Sequence, residues 1–298
     1  MSREGARHTD WHVHTHHSDG FASPEEVIRR AAELGLTRVA ITDHDCIEAH
    51  RGERYAAFAQ THGLFLIPGV EIDCRLGDDE TEVLGLGFDP DYAPLVERLE
   101  RIGAERTARF RFYCERLAAA GEPVEPDAVL TEHVKVPIKV HLYRYLAAAG
   151  RSFDGGYREF KAALDALGES PEVDKPTIEE SVSLIRDADG YALLAHPLFF
   201  AERFGLETLL EAGRDAGCVG AELFYPYDFG EKGLATERVR EGYRELLRLL
   251  PEVFPSGAEA SRGTDMHDLD EWPARLAAVE RWERELLGDE DPPKLLPG

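Results

Sequence analysis

Short apolar runs alternate with amphipathic stretches along this chain, and the alternation predicts strands followed by helices. Trp11 to Thr15 reads as a strand on which His12 and His14 project from one face, because strand side chains alternate with a period of two. Ser23-Pro24-Glu25-Glu26 predicts a helix start, with Ser23 as N-cap, Pro24 at the first helical position and Glu26 completing a capping box. Val27, Ala31 and Leu34 make its apolar stripe, and Gly35 ends it. A strand from Thr37 to Thr42, a helix from about Glu48 to His62 and a strand from Leu64 to Pro68 come next. The last runs into Gly69-Val70-Glu71-Ile72; Asp78-Asp79-Glu80 reads as a hairpin tip, and Thr81 to Phe88 as the returning strand.

The pattern turns helical at Pro94 and stays so to about Pro176, with loop signals at Pro123, Pro137, Gly150 and Gly155-Gly156. Strand and helix patterns then alternate again. Thr177 caps a helix, Tyr191 to Ala195 is a strand, Leu206 to Ala216 a helix, Val219 to Phe224 a strand. Helices near Glu237 to Leu250 and Pro273 to Leu287 complete the series, and residues 289–298 read as a peripheral tail. The expectation is an α/β barrel in two parts, 1–93 and 177–298, with a small helical insertion domain at 94–176.

Composition narrows the partners. The 298 residues are 43% hydrophobic, enough for a substantial core. Lys and Arg number 34 against 58 Asp and Glu, a formal net charge of −24, which disfavours duplex DNA and anionic membranes while leaving room for a local cationic pocket. Four scattered cysteines without a CxxC pair, no apolar leader and no run of membrane-spanning length point to a reduced, cytoplasmic protein. Oligomeric state is not legible.

Metal-ligand side chains recur at the predicted strand ends: His12, His14, Asp19, His44, Glu71, His196, Asp265 and His267. Imidazole nitrogens and carboxylate oxygens suit zinc, manganese or iron, and eight such groups exceed the shell of one ion. Each has a plainer reading. His196-Pro197 could terminate a strand, His44 could lie in a solvated turn, Glu71 could cap a helix, and Asp265 could pair with His267.

The ordered set HxH with a following SDG, then DHD, GxE, HP and a late TDxH resembles the polymerase and histidinol phosphatase (PHP) family, and spans His12 to His267. The organisation is most similar to the stand-alone metal-dependent phosphoesterases of that family. The resemblance implies a distorted (β/α)7 barrel with a small helical insertion domain. It implies a first metal on His12, His14, Glu71 and Asp265, a second shared by Glu71 and His196, and a third on Asp19, His44 and His267. Where relatives place a histidine two residues before Leu-Gly, this chain has Glu82, which as an oxygen ligand favours a harder cation such as manganese or else weakens the second site. Lys139-Val140-His141 matches the pattern by which relatives bring a cation and a histidine to the substrate phosphate. Arg106, Arg109 and Arg262 are further phosphate candidates by placement alone, with a surface-helix role as the other reading of the first two.

Two or three divalent ions, manganese before zinc or iron, imply hydrolysis by metal-activated water, with Asp19, His44, Asp265 and His267 at the reacting centre and Lys139 and His141 beside it. The expected substrate is a phosphomonoester of a nucleotide or another small phosphorylated metabolite. Alternatives are a phosphodiesterase acting on a cyclic phosphate or on the 5′ end of a short RNA, and a non-catalytic metal-binding or regulatory protein.

Overall fold

The computed structural model describes residues 8–230, 233–255 and 259–288; the expected tail at 289–298 lies outside the described residues. Seven strands form one mixed sheet in chain order: β1 (Thr9–Val13), β2 (Arg38–Ile41), β3 (Phe65–Leu76), β4 (Asp79–Leu86), β5 (Tyr191–Leu194), β6 (Gly220–Phe224) and β7 (Glu259–Arg262). β4 runs antiparallel to both of its neighbours, and every other pairing is parallel. Beyond the last strand, Val13 bridges in parallel to Met266, so the segment after β7 returns beside the end of β1.

The parallel strands are joined by helices that bury one stripe on the sheet, as such connections require. In α1 (Pro24–Glu33) both halves of the capping box form: Ser23 Oγ accepts from the Glu26 N–H at 3.3 Å, and Glu26 Oε2 accepts from the Ser23 N–H at 2.8 Å. Val27, Ile28 and Ala31 are fully buried, the first two each worth roughly 1.5–3 kcal/mol of apolar transfer. The expected helix from Glu48 to His62 is instead a single turn, Glu48–His50, followed by α2 (Arg54–Thr61). Gly52 separates them at φ +69°, a conformation that no continuous helix contains. Leu64 to Pro68 and the GxE stretch prove to be one twelve-residue strand, β3, whose hairpin tip is the Gly77-Asp78 turn; Asp79 and Glu80 already belong to β4.

Between β4 and β5 lie α3 (Ala93–Ala119), α4 (Pro126–Val129), α5 (Lys139–Ala148), α6 (Gly156–Asp165) and α7 (Ile178–Asp187). α3 to α6 hold an apolar cluster of their own around Phe110, Tyr113, Leu142, Leu146, Phe160 and Leu164. Thr177 caps α7, its Oγ1 accepting from the Glu180 N–H. Arg75 pairs with Pro176 and Thr177, fastening the return of this helical segment to the tip of the β3–β4 hairpin.

Two elements fall outside the pattern of predicted strands and helices. β7 reads Glu-Ala-Ser-Arg, with no apolar run, and all four residues are buried. α8 (Pro197–Phe204) starts directly after β5, with Pro197 in its first turn. The remaining helices are α9 (Leu206–Ala216), ended by Gly217 in the left-handed conformation, α10 (Thr236–Val253) and α11 (Trp272–Leu287). All four cysteines are free and buried, and no helix among the described residues is long and apolar enough to cross a membrane.

Candidate metal centre

Strand ends converge on one cluster. β1 supplies His12 and, one residue beyond its end, His14; both side chains are fully buried. Glu71 comes from the middle of β3, His44 lies just past β2, His196 just past β5, and Asp265 and His267 just past β7. Three of these loops carry a non-glycine residue at positive φ: Asp45 (47°), His196 (24°) and Asp265 (50°). Such backbone costs about 1–3 kcal/mol per residue and persists where surrounding structure enforces it.

His12 Nε2 and His14 Nε2 stand 3.0 Å apart. Glu71 Oε2 lies 3.2 Å from the first and 3.3 Å from the second; Asp265 Oδ1 lies 3.5 Å and 3.0 Å from them. Bonds of 2.0–2.1 Å to a tetrahedral ion put neighbouring ligand atoms about 3.3 Å apart, so these four atoms have the spacing of a coordination shell. Glu71 Oε1 is 2.8 Å from His196 Nε2, which is also 3.2 Å from Glu82 Oε2, a second group sharing Glu71. Asp19 Oδ1 is 3.1 Å from His267 Nε2, 3.6 Å from His14 Nδ1 and 4.0 Å from His44 Nε2, forming a third. The described residues thus have the capacity for two or three divalent ions.

The electrostatics agree with cation binding. Burial lowers the pKa of His14, but the Asp265 and Glu71 carboxylates outweigh it and carry the imidazole to about 9; His196, opposed by burial and raised chiefly by Glu71, also reaches about 9. Glu82 is pushed up to about 7, by burial first and by the Glu71 carboxylate next. Ion binding at these groups would displace any protons they carry.

Acids that the sequence presented only as neighbours turn out to fix the ligands. Glu222 Oε1 lies 3.2 Å from His12 Nδ1, and Oε2 accepts the His196 N–H at 2.9 Å. Asp73, two residues past Glu71 and on the same strand face, puts Oδ1 3.3 Å from His44 Nδ1. Tyr225 donates its hydroxyl to Asp265 Oδ2 at 2.6 Å, leaving Oδ1 toward the histidines. Asp43 accepts from the Thr15 N–H, the Thr15 hydroxyl and the Ser18 hydroxyl, and so pins the loop that carries Asp19. The period of two that pairs His12 with His14 also pairs Glu71 with Asp73. Glu222 had no such signal.

The cluster floors a cavity of about 1150 Å3 whose other walls come from α3, α5, α6 and the loops after β5 and β6. Lys139, Arg144 and Lys161 line it together with Asp19, and Arg109 lines it too while donating Nε to the Pro171 carbonyl. Lys139 lies 2.5 Å from Asp165 and over the Tyr113 ring. Arg144 donates Nη1 to the Asp19 carbonyl and has no ion pair among the described residues. Arg106 also lines the cavity but is not a surface residue: it is buried and ion-paired with Asp45 and Asp73. Arg262 is buried on β7 with Nε 3.3 Å from Glu283 and does not line the cavity. His141 does not line it either. Its Nδ1 accepts from the Ile138 N–H, and its Nε2–H donates to the Ser18 carbonyl at 2.7 Å, which makes it a strut under the Asp19 loop.

Known proteins resemble this chain in sequence and in fold. The chain is 33% identical to the 5′-3′ exoribonuclease Rnm of Salmonella typhimurium over 63% of this chain and 64% of the relative, and so spans just under two thirds of that protein. It is 31% identical to a 3′,5′-nucleoside bisphosphate phosphatase of Chromobacterium violaceum, over 72% of this chain and 75% of the relative. Among solved structures, an amidohydrolase of Chromobacterium violaceum with bound sulfate and no metal superposes with a TM-score of 0.68 at 25% identity, covering 91% of this chain and 96% of that one. The PHP domain model matches residues 10–272, nearly the whole described chain, and the chain accordingly belongs to the PHP domain family of metal-dependent phosphoesterases.

Proposed function

We propose that this protein hydrolyses a phosphomonoester of a nucleotide or another small phosphorylated metabolite. The observation that carries the proposal is the spacing of His12 Nε2, His14 Nε2, Glu71 Oε2 and Asp265 Oδ1, with Glu71 and Asp265 lining a cavity that Lys139, Arg144 and Arg109 also line. In this reading the sheet closes as a distorted seven-stranded barrel, residues 94–176 are an inserted domain, and the ligand loops meet at the barrel's mouth.

His12, His14, Glu71 and Asp265 would hold one ion; Glu71, His196 and Glu82 a second; Asp19, His44 and His267 a third. Oxygen-rich ligation through Glu82 favours manganese over zinc or iron. Divalent ions held there would supply Lewis acidity, activating water at neutral pH and neutralising phosphoryl charge. The protein's own groups orient and bind. Glu222 and Asp73 set the His12 and His44 rings, Tyr225 sets Asp265, and Arg144, Lys139 and Arg109 meet the phosphate oxygens as charge-assisted donors. A sulfate in the related amidohydrolase, a tetrahedral anion like phosphate, and the nucleoside bisphosphate phosphatase likeness support the substrate class.

Phosphodiester hydrolysis at the 5′ end of a short RNA is the second reading, favoured by the exoribonuclease likeness. The test is release of inorganic phosphate by metal-loaded protein from mononucleotides and nucleoside 3′,5′-bisphosphates, beside a 5′-phosphorylated oligoribonucleotide. Phosphate release that Asp265→Asn abolishes supports the first reading, and mononucleotides cut from the RNA support the second. Protein carrying two or three ions and turning over neither class would refute both.

A further inference from the structure

One large aromatic ring stands uncovered beside the metal ligands. Phe21 is 60% exposed and belongs to none of the apolar clusters among the described residues. Its backbone is nevertheless fixed: the Phe21 N–H donates to the His267 carbonyl at 2.9 Å, and Gly20 before it donates to Thr15. The ring lines the same cavity as Asp19 and His267. The Arg144 guanidinium lies over one of its faces, Cζ 3.9 Å from the centroid, and is held there by its bond to the Asp19 carbonyl.

We propose that Phe21, stacked on Arg144, is a platform for the nucleobase of the substrate, whose phosphate lies at the Asp19, His44 and His267 group. The inference rests on the phosphoesterase reading above and adds to it the part of the substrate recognised away from the phosphate. Phe21 is two residues from Asp19, within about 7 Å along the chain, a span that one ribose bridges. A phenyl ring backed by a guanidinium offers a planar, polarised surface, and bases stack on such surfaces with little regard to identity. Among the described residues Phe21 pairs with no other aromatic ring, and more than half of its surface is open to solvent. A fixed backbone means that the platform loses little freedom when a base settles on it.

The experiment measures equilibrium binding to metal-loaded protein by calorimetry. The ligands are the hydrolysis-resistant 5′-phosphonate of adenosine and the same phosphonate of ribose without a base. Wild type should bind the adenosine compound about tenfold or more tighter than the base-free one, the range that one stacked base supplies. Phe21→Ala should remove that preference, and Phe21→Trp should restore it. An unchanged preference in Phe21→Ala, no preference in wild type, or no binding of the adenosine compound would each overturn the platform. Phosphate release from a substrate panel is read separately: a base preference without turnover sinks the hydrolytic reading and leaves the platform, whereas turnover without a base preference does the reverse.

Discussion

Glu222 lies 3.2 Å from His12 Nδ1 while its other oxygen accepts the His196 backbone N–H, so one carboxylate from β6 orients ligands delivered by β1 and by the loop after β5. An acid behind a ligating histidine fixes its tautomer and raises its basicity, and its loss lowers metal affinity by about 10- to 100-fold. Glu222→Gln keeps the volume and one acceptor. It should stay folded and bind manganese or zinc about tenfold more weakly in chelator competition. An unchanged affinity would remove Glu222 from the ligand scaffold.

Beneath the same pair, a Cβ on Gly263 would come 2.3 Å from Glu222 Oε1 and 2.3 Å from the His12 Cβ. Gly263→Ala must displace one or both side chains, at an overpacking cost of about 1–3 kcal/mol. Urea unfolding should show that loss, and turnover should fall by more than the stability change explains. A variant with wild-type turnover would mean that the ring position is softer than the packing implies.

Arg106 joins Asp45 and Asp73 in a buried group, and Lys175 Nζ stands 3.2 Å from the Asp73 carboxylate. Removing Arg106 leaves the Asp45 carboxylate buried without that cation. Arg106→Met should destabilise the protein by about 3–5 kcal/mol, the range for breaking a buried pair from one side. A loss below about 1 kcal/mol in denaturant titration would show that water or relaxation compensates.

In the proposed ligand set, Glu82 puts an oxygen where the family resemblance implies a nitrogen. Glu82→His should raise bound zinc relative to bound manganese after exposure to equal amounts of both, as imidazole suits zinc better. Elemental analysis gives the ratio directly. If it does not move, Glu82 takes no part in holding an ion.

His141 predicts a pH effect of definite sign. Burial lowers its pKa below 6.5, and its Nδ1 can accept from Ile138 only while the ring is neutral. Below 6.5 the unfolded chain takes up a proton that the folded chain resists, so this stabilisation is whole above 6.5 and is lost as the pH falls toward the folded value. The unfolding free energy of wild type minus that of His141→Gln, measured in metal-loaded protein, should be larger at about pH 7.5 than at about pH 5.5. The reverse trend would mean that the ring is charged in the native state.

Strands with apolar runs, the Ser23 and Thr177 caps and the histidines that cluster were legible because each depends on a local pattern of residue type and spacing. β7 was not, since its burial comes from sheet neighbours far away in sequence and Glu-Ala-Ser-Arg has no apolar face of its own. Glu222 was invisible for the same reason: its partner is 210 residues away. His141 carries the right chemistry for a phosphate, but tertiary contacts turn it toward Ile138 and Ser18. The chemistry of a side chain is written locally; what it faces is not.

The reversed direction of β4 dictates the form of the helical segment after it. A strand laid against its neighbours releases the chain at the end of the sheet opposite the ligand loops, and α3 must climb back. Its 27 residues span about 40 Å at 1.5 Å per residue, bringing Arg106 level with Asp73 and, two turns on, Tyr113 level with the cavity. The helix is therefore a ruler as well as a wall. One residue gained or lost between Arg106 and Tyr113 would turn everything beyond it by about 100°, so its length is constrained even where its exposed residues are free to vary.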